Sequence, residues 1–135
     1  MDPAISISDD KNLLDIPYIH AVLSQTYWAD WRSLEQVKHT IETSVCFGVY
    51  SGQKQIGFAR VLSDQVVFAY LMDVFIDEAY QHQGYASRLM EFVIAHDSVK
   101  SVKKFLLMTK DAHLFYEKFG FGPHTDPNRI MEINR

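Results

Sequence analysis

An apolar run from Val66 to Ile76, broken only by Asp73, leads into Gln81-His82-Gln83-Gly84-Tyr85-Ala86 and then into a segment with Ala86, Leu89, Met90, Val93 and Ile94 at helical spacing. Strand-forming residues, a glycine turn and an amphipathic helix in that order leave few alternatives. The first turn of such a helix has backbone N–H groups with no intrahelical acceptor. Together with the positive end of the helix dipole they form a site for a phosphate-like anion. Taken alone, Gly84 also fits a mere tight turn, so the rest of the chain has to decide.

The flanking segments predict one mixed α/β domain over residues 1–135, long enough to bury a core. Ala4–Ser8 alternates as a first strand. Leu13, Ile16, Ile19 and Leu23 define a helix with Pro17 near its first turn, and Ser33 opens a second helix with capping-box form through Gln36. Strands at 45–50, 55–62 and 66–76 are joined by short turns and are therefore antiparallel. A strand at 104–109 follows the helical crossover and should run parallel to the 66–76 strand. A helix over Ala112–Phe119, stopped by Gly120, a short strand from Phe121 and a last strand over Arg129–Ile133 complete the order.

The 47% hydrophobic and 22% charged composition is that of an ordinary globular protein, and the net charge of −4 speaks against a nucleic-acid binder. No apolar run reaches membrane-spanning length and no secretory leader is evident. A single cysteine, Cys46, excludes an internal disulfide, and a cytoplasmic location is expected. The histidines show no metal-ligand spacing, so no metal is expected.

Past the 104–109 strand comes Ala112-His113-Leu114-Phe115-Tyr116-Glu117-Lys118-Phe119-Gly120-Phe121. Gln81, Gly84 and Ala86 match an R/Q-x-x-G-x-G/A signature, and Ala112, Phe115, Tyr116, Glu117, Lys118, Gly120 and Phe121 match A-x-x-[LF]-Y-E-K-x-G-F. In these motifs and in its element order the chain resembles the GNAT superfamily of acetyl-coenzyme A-dependent N-acetyltransferases. The resemblance implies a mostly antiparallel sheet with one parallel pair splayed at the cofactor site and helices on both faces. It implies acetyl transfer from acetyl-coenzyme A to a primary amine in a ternary complex. The coenzyme A pyrophosphate would meet the amides of Gln83, Gly84, Tyr85, Ala86 and Ser87, with side-chain donors from Gln81 and His82. The pantetheine arm would pair with the backbone of Val74, Phe75 and Ile76. Tyr116 would protonate the departing thiolate, although helical periodicity alone makes it a core tyrosine.

Asp73 is either a structural anion or the base that deprotonates the acceptor; Glu78 or a water chain can also serve. A regular hairpin register sets Asp73 and Arg60 on opposite faces of the sheet, so Arg60 is not expected to be its partner. Thr109 stands where many relatives carry a pantetheine-binding asparagine. Asp111 is expected to cap the last helix. In the connector Tyr27-Trp28-Ala29-Asp30-Trp31-Arg32, Tyr27 or Trp28 can stack on an amine and Arg32 can hold an acceptor carboxylate; packing of the helices onto the sheet explains the tryptophans equally well. Cys46 is expected to be a small core residue rather than an acyl carrier. The rival readings are a non-catalytic acyl-coenzyme A-binding module of the same fold and a nucleotide hydrolase, the latter lacking the G-K-[ST] ending its phosphates require. A small-molecule or peptide amine is the expected partner, and a homodimer stays open.

Overall fold

Five strands form one sheet in sequence order: β1 (Ile5–Ser8), β2 (Val45–Ser51), β3 (Lys54–Ser63), β4 (Phe68–Ile76) and β5 (Lys104–Leu107). The computed structural model describes residues 4–135. Adjacent strands are antiparallel from β1 to β4, and β4 and β5 are parallel, as the lengths of their connections require. Helices α1 (Ile16–Leu23) and α2 (Leu34–Glu42) precede β2; α3 (Tyr85–Ala95) links β4 to β5; and α4 (His113–Glu117) follows β5.

The sheet has a core on each face. Phe47, Val49, Val61 and Leu71 pack beneath Leu89, Met90 and Val93 of α3. Cys46 and Phe58, pointing the other way, pack with Ile19 and Leu23 of α1 and with Val37 and Ile41 of α2. Adjacent residues Cys46 and Phe47 thus serve different cores, as the two-residue period of a strand dictates. Local chemistry sets the helix starts. Asp15 accepts the Tyr18 amide at the start of α1, where Pro17 lies in the first turn, and Ser33 and Gln36 close a reciprocal capping box on α2. Leu13, expected in the first helix, lies instead in a 3-10 turn at Lys11–Leu13.

Three expectations at element ends need correction. Val66 and Val67 are not in β4: the Asp64 carboxylate accepts the amides of Val66, Val67 and Phe68 at 2.8–3.0 Å and holds them in the turn. Asp111 does not cap α4; the residue at that position is Ala112, whose amide donates to Thr109 Oγ1 at 3.0 Å. Neither the segment from Phe121 nor Arg129–Ile133 forms a strand. The Phe121 ring packs on Phe105, whereas Ile130, Met131 and Ile133 are exposed, Met131 at 92%. Alternation marks residues suited to a strand, but a strand also needs a neighbour, and β5 offers only a four-residue edge.

The feature that shapes the site is a bulge in β4. Residues pair as Arg60↔Met72 on one side of it and Phe58↔Phe75 on the other, so Ala59 faces the extra residue supplied by Asp73 and Val74. Asp73 has φ +56°, a left-handed conformation that Asp tolerates better than most side chains. The slip reverses the facing of the strand, so that Asp73 and Arg60 share one side of the sheet.

Candidate active site

β4 and β5 are paired only from Phe68↔Lys104 to Leu71↔Leu107; beyond Leu71, β4 has no neighbour on that side among the described residues. A cavity of about 650 Å³ opens there, bounded by Met72, Asp73 and Val74 of β4, by Leu107–Ala112 after β5, by Tyr116 of α4 and by Tyr27, Trp28 and Arg32 of the connector. Backbone direction along β4 follows from one bond: the Asp77 amide donates to Ile56 O on β3 at 2.6 Å. Alternation then turns the polar backbone groups of Phe75 toward β3 and those of Val74 and Ile76 toward the open side. This corrects the expectation for Phe75. Its backbone belongs to the sheet, and its ring meets Tyr18 and Phe58 in the α1–α2 core.

The open edge of β4 runs toward the start of α3. Gly84 is the N-cap, with φ +84° and no side-chain cap bond, and His82 also has positive φ, 64°. The amides from His82 to Ser87 make no hydrogen bond to any described residue. Residues 81–84 are exposed, and a Cβ placed on Gly84 would meet nothing within 4 Å. A row of unpaired donors at a helix N-terminus with free space in front of it suits a pyrophosphate. The Gln81 side chain is not part of that row. Its Nε2 donates to Ile76 O at 3.0 Å, tying the loop to the end of β4, and its amide turns back to Glu78 O. Gln81 therefore shapes the loop, and at Ile76 only the N–H remains for a ligand.

Asp73 is the most heavily bonded side chain of the cavity. Its Oδ1 accepts Trp28 Nε1 at 3.0 Å, and its Oδ2 accepts Arg32 Nη1 at 2.7 Å and Arg60 Nε at 2.9 Å. Burial alone would raise the pKa of this carboxyl, but hydrogen bonds and charge from Arg32 and Arg60 outweigh it and hold the group below the usual carboxylate range. A carboxylate so placed holds protons poorly, which argues against the general-base role. Arg60 is the partner that sequence reasoning missed, because only the bulge brings it to this face. Its remaining nitrogens reach Ser44 Oγ at 3.0 Å and Met72 Sδ at 3.4 Å. Glu78, the other carboxylate considered, lies exposed in the turn after β4 and does not line the cavity.

Tyr116 lines the cavity, packed edge-on against Phe115 and Phe121, and burial raises the pKa of its phenol. It therefore keeps its proton beyond the ordinary phenol value of 10. Thr109 also lines the cavity; its oxygen accepts the Ala112 amide, and its hydroxyl proton stays free to reach a ligand carbonyl. The connector is held less by burial than by polar contacts. Ala29 is its buried member, Trp31 is exposed and donates its Nε1 to Trp28 O, and Tyr27, 66% exposed, meets Trp28 edge-on and has Lys110 Nζ above its ring at 5.3 Å. Tyr27, Trp28 and Arg32 thus line the same cavity as Tyr116, Thr109 and Val74. Cys46 is buried in the α1–α2 core, and loss of hydration pushes its thiol up to about 11.

Known proteins share this fold. The family model described as acetyltransferase (GNAT) domain matches residues 42–123. A protein of known structure from Xanthomonas campestris pv. campestris, assigned to the GNAT acetyltransferases, is 42% identical over 98% of this chain and 94% of its own, with a TM-score of 0.95. A protein from Gibberella zeae, assigned as an acetyltransferase, is 27% identical over 89% of this chain and 80% of its own length. The fold is also that of N-acetylglutamate synthase from Neisseria gonorrhoeae, solved with coenzyme A and N-acetylglutamate, at 15% identity and a TM-score of 0.69 over 88% of this chain and 28% of that one. On the match across residues 42–123 and the likeness over nearly its full length, this chain belongs to the GNAT acetyltransferase family.

Proposed function

We propose that the protein transfers an acetyl group from acetyl-coenzyme A directly to a primary amine held between the Tyr27–Arg32 connector and β4. The observation that carries the reading is the continuity of three features: unpaired amides from His82 to Ser87, an open β4 edge at Val74 and Ile76, and the Tyr116 phenol on the cavity that this edge borders. Acetyl-coenzyme A supplies a thioester whose acyl group an amine can take up without a metal.

The chain's own groups then divide the work. The amides of His82, Gln83, Gly84, Tyr85, Ala86 and Ser87 hold the pyrophosphate, and Gly84 lets it approach the backbone closely. Val74 C=O and Ile76 N–H hold the pantetheine amides as a neighbouring strand would, with the Thr109 hydroxyl facing them. The backbone N–H of Val74 is the donor best placed for negative charge developing on the acyl oxygen. Tyr116 Oη donates its proton to the departing sulfur. Asp73 positions Trp28 and Arg32 at the acceptor end, and the amine loses its proton to water.

Two variants test the reading. Gly84→Glu places bulk and a negative charge where the pyrophosphate sits and should abolish coenzyme A binding in titration calorimetry; normal affinity would remove the loop as the site. Tyr116→Phe should lower kcat by about 10²-fold or more. In the wild type the rate should climb as the amine deprotonates and hold at alkaline pH, because the phenol stays protonated above its ordinary pKa of 10. Equal rates for the two proteins across the alkaline range would remove Tyr116 as the proton donor.

A further inference from the structure

We infer that the acceptor carries an oxyanion, a carboxylate or a phosphate only a few bonds from its amine, which seats on the Arg32 guanidinium. The inference rests on the acetyltransferase reading and adds to it the class of acceptor. It begins from charge. Arg32, Arg60 and Asp73 form one cluster whose side chains are 12%, 6% and 1% exposed, and two guanidinium groups against one carboxylate leave a surplus positive charge. A guanidinium cannot relieve such a surplus by losing its proton, so the cluster favours an anion from outside.

The hydrogen bonds show which of the two carries the surplus. Arg60 uses all three of its nitrogens within the protein, on Asp73, Ser44 and Met72. Arg32 donates to the described residues through Nη1 alone, and it lines the cavity. The rest of its planar fork is free for a bidentate partner, the geometry that carboxylate and phosphate oxygens supply. Trp31 supports the guanidinium, its ring centroid 5.7 Å from Arg32 Cζ. The other charged residues of the cavity wall, Lys110 and Asp111, are exposed and opposite in sign, and so leave the surplus unbalanced. The acceptor end is therefore positive within a chain whose net charge is −4, and a polycationic amine is the wrong match.

Reach limits size. Arg32 lies one 2.7 Å hydrogen bond from Asp73, whose neighbour Val74 begins the open edge of β4. An anion on Arg32 and an amine at the acyl carbon thus belong to a compact molecule, an amino acid or an aminoalkyl phosphate.

The test is thiol release from acetyl-coenzyme A with matched acceptors at a pH where both amines of a pair are deprotonated: amino acids against their carboxamides and decarboxylated amines, and aminoethyl phosphate against ethanolamine. The anionic member should be favoured in kcat/KM by about tenfold or more, and the two series separate carboxylate from phosphate. Arg32→Gln should bring each pair close to parity while coenzyme A affinity, read by calorimetry, stays normal. Arg32→Lys keeps a charge beside Asp73, and should retain part of the preference if the glutamine variant fails to fold. Neutral or polycationic amines used as well as or better than anionic ones would overturn the inference and leave the acetyltransferase standing. Normal coenzyme A binding with no turnover of any amine would overturn both.

Discussion

Asp73 shows how one residue can serve structure and site at once. It is buried with two guanidinium groups and an indole on its oxygens, and three separate segments meet there: the connector through Trp28 and Arg32, β3 through Arg60, and the bulge of β4. Removing one partner of a buried ionic cluster leaves the others uncompensated, so Asp73→Asn should cost about 3–5 kcal/mol, read as a lower urea midpoint. Its folded pKa lies below the ordinary 3.8. The stability it contributes is therefore complete above that value and is lost as pH falls through the folded pKa. Acid titration of the wild type should show this loss below pH 3.8, and the asparagine variant should lack that portion of it. A variant as stable as the wild type, with the same acid profile, would show that the cluster holds nothing. The sequence marked Asp73 as an anomaly in an apolar strand, but strand parity placed Arg60 on the other face. A one-residue bulge is a small local choice of backbone, and its long-range consequence is a changed partner.

At the scale of elements, periodicity and turn chemistry were enough to place the four α-helices and the five strands, the helices because each turns an apolar face to one of the two cores. The ends were harder to read, since they depend on single polar contacts such as Asp64 on three amides or Thr109 on Ala112. The same holds for the loop before α3: the motif gave its position and its amides, whereas the anchoring of Gln81 on Ile76 O is a tertiary fact. The bulge depends in turn on how closely β3 and β4 approach beside it. At Gly57 an added Cβ would lie 2.7 Å from Ile76 Cδ1, 3.0 Å from Phe75 O and 3.1 Å from Val49 Cβ. Because one of these is backbone of β4, Gly57→Ala cannot be absorbed by a rotamer change. It should cost about 1–3 kcal/mol in urea unfolding and should weaken coenzyme A binding by moving Val74 and Ile76. An alanine variant with wild-type stability would mean that the strands separate more easily than this packing allows.

Across the whole molecule, the two cores are joined through a single sheet rather than set side by side. Cys46 and Phe58 face α1 and α2, while Phe47 and Val49 on the same strand as Cys46 face α3, so loosening either core strips one side of strands that the other core needs. This coupling predicts that the two cores and the sheet between them unfold as one unit. Both tryptophans lie in the connector, far along the chain from α3, and so report on a part of the molecule that backbone ellipticity averages over. In urea, tryptophan fluorescence and far-ultraviolet ellipticity of the wild type should give superimposable transitions. The exposed tail around Met131 is outside this coupling, which is why its alternating sequence, read without a partner, suggested a strand that does not form. In Asp73→Asn the connector loses the anion that fastens Trp28 and Arg32 to β4, and the fluorescence transition should then run ahead of the ellipticity. If fluorescence already leads in the wild type, the connector is an independent flap, and the ionic cluster does not bind the acceptor end of the cavity to the sheet.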